Sequence, residues 1–180
     1  MYGLVNKAIK DLVVKNHGMD NWIEICRLSD FVEEDFVGLL PYPDSLTFTL
    51  IGNACRVLGA DSEQLLEAFG EYWILYTANE GYGEMLNLAG DTFVDFLNNL
   101  DLLHLHVNNV MPELAPPQFS TRNQLENSIE LEYRSHRNGM IPMLRGIIQG
   151  LGKRFDMVVK TEQIEFKEKG DLCDVFLISW

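Results

Sequence analysis

The chain has 180 residues, 47% of them hydrophobic and 23% charged, a balance that indicates a folded protein rather than a disordered one. Its length suits one domain, with room for two lobes. A formal net charge of −13 argues against broad affinity for nucleic acid or an anionic membrane, and would suit a basic protein partner.

Three cysteines lie far apart in the sequence, at positions 26, 55 and 173. They form neither a disulfide framework nor a paired zinc motif, which indicates a reducing compartment. The N-terminus lacks the basic start and apolar run of a signal peptide, and no stretch approaches the roughly 18 apolar residues of a membrane span. We therefore expect a cytoplasmic protein without membrane insertion.

The first half of the chain is predicted to be helical. Apolar spacing indicates a helix that ends near His17 and a second over residues 21–27, with Trp22, Ile23 and Cys26 inside. Residues 45–58 also contain β-branched and aromatic side chains typical of a strand, but their apolar spacing favours a helix that stops at Gly59. Asp61 or Ser62 then caps a long helix, which residues 80–83 break before a short helix to about residue 89.

Residues 91–107 form the most informative segment, because they are predicted to make one helix with a histidine on its apolar face. At about 100° per residue, His104 lies within the apolar stripe and His106 lies roughly opposite its centre. The other stripe residues are Phe93, Phe96, Leu97, Leu100, Leu103 and Val107. One imidazole should therefore point inward and its neighbour outward.

The second half changes character after the prolines at 112, 116 and 117. Residues 128–135 alternate as a half-buried strand does, and residues 140–155 have helical spacing in which Gly146 and Gly150 would permit close backbone approach. Residues 155–166 and 171–178 are predicted strands. We expect an α+β fold with a helical N-terminal lobe, about residues 1–60, and a C-terminal lobe, about residues 61–180, of helices and an antiparallel sheet.

Three side chains near the end of the first strand share one predicted face: Tyr133, Ser135 and Arg137. A phenol, a hydroxyl and a guanidinium are donors suited to carboxylates. Together with an inward imidazole at His104, they predict a haem whose propionates are bound by the three donors. Considered alone, His104 would more often be a hydrogen-bonded core residue, and Tyr-x-Ser-x-Arg a solvated strand face. The second imidazole nitrogen would need an acceptor, such as a backbone carbonyl, Asn108 or Asn109.

In combination these residues resemble the haem-nitric oxide/oxygen binding family, H-NOX, whose fold also forms the N-terminus of the soluble guanylate cyclase β chain. The resemblance covers essentially all 180 residues. The start Met-Tyr-Gly-Leu-Val-Asn-Lys-Ala resembles the family's opening, and His104 followed by Tyr-x-Ser-x-Arg is the specific signature. Further matches are Phe69-Gly-Glu-Tyr-Trp73, Glu80-Gly-Tyr82, Asn99-Leu-Asp-Leu-Leu-His104, Pro116-Pro117-x-Phe119 and Gly150-Leu-Gly-Lys153.

The resemblance implies a role for each residue of this signature. His104 would be the proximal ligand of haem b, and Tyr133, Ser135 and Arg137 would bind its propionates. Pro117, with Pro116, would pack against the macrocycle and help to bend it. The haem would lie between the two lobes.

The distal side would decide which gas binds, because bound dioxygen needs a hydrogen-bond donor far more than nitric oxide does. Oxygen-binding relatives supply a tyrosine near the start of the helix after Tyr-x-Ser-x-Arg, and Pro142 is expected at about that place. Ile9, Trp73 and Met143 are the other expected distal residues. The Trp73 indole N–H is a possible donor, but the missing tyrosine predicts nitric oxide and carbon monoxide binding without stable oxygen binding.

The resemblance also implies a sensor and not an enzyme. With 180 residues there is no room for an output domain, so a separate histidine kinase or diguanylate cyclase would respond, unless the sequence is part of a larger cyclase. The alternatives are an oxygen sensor of the same fold, a haem peroxidase, and a haem-free interaction module. A peroxidase would need a distal His or Arg, which the distal segment does not offer.

Overall fold

The structure, a computed structural model, describes residues 1–31 and 36–180. In that part of the chain the helices are α1 (Gly3–His17), α2 (Met19–Leu28), α3 (Asp44–Leu58), α4 (Ser62–Thr77), α5 (Gly83–Leu88), α6 (Phe93–Asn98), α7 (Leu100–Val110) and α8 (Ile141–Arg154). The strands are β1 (Gln118–Leu125), β2 (Ser128–Arg134), β3 (Lys160–Glu165) and β4 (Asp174–Ser179). No helix among the described residues is long and apolar enough to cross a membrane.

The four strands form one antiparallel sheet in the order β1-β2-β4-β3. Its inner face packs on α6 and α8 and builds the C-terminal core, whose most buried members include Phe93, Phe96, Ile129, Leu131, Ile148, Leu151 and Phe176. An α+β fold with an antiparallel sheet was predicted, and the structure confirms it.

A second core joins α1, α2 and α3 to one face of α4, and its buried members include Trp22, Ile25, Leu50, Phe69 and Tyr76. Helix α4 takes part in both cores, because Ile74 belongs to the first and Phe69 to the second. Trp73 packs against both. Side chains on α4 therefore lie at the junction of the two cores.

Helices α4 and α8 are in direct backbone contact. A β-carbon added at Gly146 would lie 2.0 Å from the carbonyl oxygen of Glu67, and one added at Gly70 would lie 2.1 Å from that of Met143. Gly150 approaches the carbonyl of Glu71 in the same way. The close approach predicted for Gly146 and Gly150 is confirmed.

Helix starts and stops follow local chemistry. The Asp61 side chain accepts hydrogen bonds from the backbone N–H groups of Glu63 and Gln64, so Asp61, one of the two predicted residues, caps α4. Gly59 ends α3 in the left-handed conformation, as predicted. The break after α4 falls at Glu80 and Gly81, where Gly81 has φ of 91°.

Four sequence predictions need correction. The single helix over 91–107 is two helices, because the backbone turns at Asn99, whose side-chain amide donates to the Ala89 carbonyl. Strand β1 was missed, since only Phe119 is buried in this largely polar strand. The strand expected from residue 155 begins at Lys160, because residues 155–157 bond back to the end of α8. Ile23 is exposed, and Ile25 takes the buried position in α2.

Candidate functional site

A cavity lies between the two cores and is lined mainly by apolar side chains. Its lining comes from helices α1, α3, α4, α5, α6, α7 and α8 and from strands β1 and β2. Eight of the predicted site residues line this cavity: Trp73, His104, Pro116, Pro117, Tyr133, Ser135, Arg137 and Met143. Residues from positions 73 to 143 are thus brought to one place.

His104 extends from α7 into the cavity, whereas His106 is exposed and its Nδ1 lies 2.8 Å from the Leu102 carbonyl oxygen. The predicted inward and outward directions are confirmed. Burial lowers the pKa of His104 to about 4, against a smaller opposing effect of the Asp101 carboxylate. The imidazole is therefore neutral near pH 7, the state that a metal ligand requires.

Phe119 on β1 stacks on the His104 ring, with centroids 5.3 Å apart, and lies 5.4 Å from the ring of Tyr133. Its backbone N–H donates to Asp101 Oδ1 at 3.2 Å, which ties β1 to the helix of the histidine. Sequence reasoning noted Phe119 only as part of a family motif. The signal for its role is its burial between two predicted site residues, which only the fold reveals.

Tyr133, Ser135 and Arg137 all face the cavity, and the intervening Arg134 and His136 are exposed. The predicted alternation holds although β2 ends at Arg134. The backbone N–H of Arg137 donates to Ser135 Oγ at 3.0 Å. Burial raises the pKa of Tyr133, despite a hydrogen bond with Ser135, so the phenol keeps its proton as a donor.

The Arg137 guanidinium is held by three groups. Its Nε donates to Asp44 Oδ2 at 2.7 Å, and its terminal nitrogens donate to the carbonyls of Leu114 and Ala115, each at 2.8 Å. Asp44 also accepts from the N-terminal ammonium of Met1. The sequence contained no signal for Asp44, since it lies 93 residues from Arg137.

The distal predictions divide into two groups. Trp73 and Met143 line the cavity, but Ile9 and Pro142 do not. The face of α8 toward the cavity is spaced by three and four residues and carries Met143, whereas Pro142 points into a neighbouring polar cavity. Ile9 lies one helical turn beyond Val5, which does line the cavity, and is buried in the N-terminal core. In the first turn of α8, Met143 and Leu144 line this cavity and Pro142 does not.

The residues present fit a haem. His104 Nδ1 is buried without a hydrogen-bond partner in residues 1–31 and 36–180. An orphaned polar atom beside an apolar cavity is typical of a site that a ligand completes. Tyr133, Ser135 and Arg137 line the same cavity and their donors suit carboxylates, and His104 would hold the iron that binds a gas.

Comparison with known proteins agrees with this geometry. A family model described as Haem-NO-binding matches residues 2–163. Among curated proteins, the chain is 28% identical over 171 residues to soluble guanylate cyclase gcy-35 of Caenorhabditis elegans, covering 91% of this chain. It is 25% identical over 173 residues to soluble guanylate cyclase 89Db of Drosophila melanogaster, covering 96% of this chain. The chain spans about a quarter of the length of these relatives, 25% and 26%.

Solved structures share the fold. An H-NOX protein from S. oneidensis in the Fe(II)NO ligation state superposes with a TM-score of 0.89 at 21% identity, covering 99% of this chain and 98% of that chain. A second structure, solved to probe the function of haem distortion in the H-NOX family, gives a TM-score of 0.85 at 19% identity and covers 100% and 95%. Both chains are matched over nearly their whole length, so the similarity extends to the entire architecture.

Proposed function

This chain belongs to the haem-NO-binding (H-NOX) family of haem-binding gas sensors, and from that premise we propose that it binds haem b through His104 and senses nitric oxide. One observation carries the proposal: a neutral imidazole and the donors of Tyr133, Ser135 and Arg137 line one apolar cavity. Pro116 and Pro117 line the same cavity and would pack against the macrocycle.

Nitric oxide and carbon monoxide are the ligands that the distal wall favours. When bound, ferrous haem supplies an open iron position for a diatomic gas. Trp73 and Met143 line the cavity on the proposed distal side. Among the described lining residues, His104 is the one histidine and Arg137 is the one arginine. With Arg137 placed among the propionate donors, no charged distal group remains to support peroxide chemistry or to stabilise dioxygen strongly. Of the proposed distal residues, Trp73 carries the side-chain donor that an oxygen sensor could use.

Signalling would pass through His104. The imidazole of His104 would hold α7 to a bound haem, and loss of that bond would free α7 to move against the rest of the chain. Differential contacts in two states are what coupling requires, and the tether supplies one of them. We propose that the lobes of about residues 1–60 and 61–180 then shift, and that a separate protein, such as a histidine kinase, a diguanylate cyclase or the remainder of a cyclase, responds.

Haem reconstitution tests the ligand assignment. We expect a Soret band in the wild-type protein, its loss or shift in His104→Gly, and its recovery with added imidazole. His106→Gly is the matched control, because His106 lies two residues away on the exposed face of the same helix. Equal haem coordination in wild type and His104→Gly would refute the assignment.

Gas selectivity has its own test. The reduced protein should form stable nitrosyl and carbonyl complexes and should keep its unliganded spectrum in air. A persistent oxy complex would favour the oxygen-sensor alternative. The ferrous-nitrosyl absorption spectrum tests the tether, because release of His104 leaves the iron five-coordinate and retention leaves it six-coordinate.

A further inference from the structure

A second, polar cavity meets the first at the carboxylate-binding end. Tyr133, Ser135 and Arg137 line both cavities, so the two share these three side chains as a common wall. The second cavity is bordered by Arg145 and Lys167. A haem held as proposed would direct its two carboxylates toward this shared wall.

Arg137 alone has few donors left for two carboxylates. A guanidinium carries five N–H groups, and Nε, Nη1 and Nη2 each already donate, to Asp44, Ala115 and Leu114. Nη2 also approaches Asp44 Oδ1 at 3.4 Å. With this bond, four of the five N–H groups already donate, and the one that remains is too few for both carboxylates. The second carboxylate needs another cation if these contacts persist.

Lys167 is a cation beside this wall, and it lines the second cavity. Its Nζ donates to the backbone carbonyl of Ser135 at 3.0 Å, and this is one of its three N–H groups. Within residues 1–31 and 36–180, Lys167 forms no ion pair, whereas Arg145 contacts Glu67 at 3.2 Å. Lys167 is thus a cation beside the shared wall, and two N–H groups of its Nζ remain available.

A backbone hydrogen bond fixes the position of Lys167 and occupies an oxygen of the nearby Asp174 carboxylate. Lys167 begins a short 3-10 turn, Lys167–Lys169, and its N–H donates to Asp174 Oδ1 at 3.0 Å. The same oxygen accepts from the Gln163 amide at 2.9 Å, so this nearby carboxylate already has two partners. Glu63 and Glu168 also line the second cavity, so both negative and positive side chains face it.

We propose that Lys167 binds the second haem carboxylate and so completes a site in which Arg137 and the two hydroxyls bind the first. The proposal rests on haem binding by this chain. Lys167 is a positioning residue: it slows haem loss without contacting the iron. Because Lys167 is exposed, and exposed ion pairs contribute at most roughly 1 kcal/mol, its removal should accelerate haem loss by about two- to fivefold.

Haem transfer to an excess of an acceptor protein tests this assignment in Lys167→Ala. The matched control is Lys160→Ala, since Lys160 is also exposed, on β3. We expect faster loss from Lys167→Ala than from wild type, and no change in Lys160→Ala. The measurement is repeated with the dimethyl ester of iron protoporphyrin IX, which has no carboxylates, and there the difference should disappear.

The outcomes separate the two proposals. A wild-type protein that takes up no haem contradicts the proposed function itself. If wild type binds haem and Lys167→Ala loses it no faster than Lys160→Ala, the assignment of Lys167 is wrong and haem binding stands. Equal acceleration with haem and with its ester would also overturn the assignment, because the substitution would then act through the fold.

Discussion

The rings of His104 and Phe119 stack with centroids 5.3 Å apart and planes inclined by 22°. Phe119 is 9% exposed and pairs across the sheet with Tyr133. The same aromatic side chain therefore separates and positions the proposed iron ligand and a proposed carboxylate donor. Strand β1, which carries it, links the α7 side of the cavity to the sheet side.

Phe119→Ala should lower the free energy of unfolding by about 3 kcal/mol, the usual range for a buried Phe cut back to Ala, and should weaken haem retention by releasing the His104 ring. Urea unfolding measures the first effect and haem transfer the second. Gln118→Ala, at the exposed neighbouring position, is the control and should change stability by less than about 0.5 kcal/mol. Equal effects of the two substitutions would mean that Phe119 does not support the site.

Met143→Tyr should create a stable oxygen complex, provided that haem binds as proposed. Met143 lies near the start of α8 and lines the cavity on the proposed distal side, where a donor is needed, and a phenol would donate to bound dioxygen. The spectrum of the reduced protein in air is the measurement. Met143→Phe has nearly the same shape without the hydroxyl, so an oxy complex in both variants would show that the donor is not the cause.

Asp44→Asn should lower the free energy of unfolding at pH 7 by about 1–2 kcal/mol, because hydrogen bonds to charged groups contribute roughly that much at a partly exposed site. Burial raises the pKa of Asp44, but hydrogen bonds from Arg137 and the N-terminal ammonium outweigh it and hold the pKa below 3.8. Since the folded pKa is depressed, the contribution is present above pH 3.8 and is lost as the pH falls through the folded value.

Unfolding titrations of wild type and Asp44→Asn at several pH values check this dependence. The two curves should differ near neutrality and converge in strong acid. Asp91→Asn, at an exposed bend, serves as the control and should follow wild type throughout. A difference between wild type and Asp44→Asn that stays constant down to the lowest pH would show that charge on Asp44 is not what stabilises the fold.

Gly146→Ala should destabilise the protein by about 3 kcal/mol, because its β-carbon would lie 2.0 Å from the Glu67 carbonyl and force α4 and α8 apart. Gly52→Ala is the matched control. Gly52 also lies in a helix, and a β-carbon there meets nothing within 4 Å, so alanine should stabilise by about 0.5–1 kcal/mol. Thermal unfolding of both variants gives the comparison, and a stabilised Gly146→Ala would contradict the close packing.

Local periodicity was enough to predict much of the site. The helical period of about 3.6 residues directs His104 inward and His106 outward even across the break at Asn99. The period of two brings Tyr133, Ser135 and Arg137 to one side although the strand ends early. Both patterns depend only on covalent geometry between near neighbours, which the order of amino acids already contains.

Contacts between distant segments could be decided only by the tertiary structure. No sequence pattern predicts the contacts of Asp44 with Arg137, of Phe119 with His104, or of Lys167 with the carbonyl of Ser135. Strand β1 is mostly polar and forms because β2 offers it backbone partners. Such pairs form when packed helices and strands bring remote groups within bonding distance. Side-chain direction is thus a local property, whereas the identity of each side chain's partner depends on the complete fold.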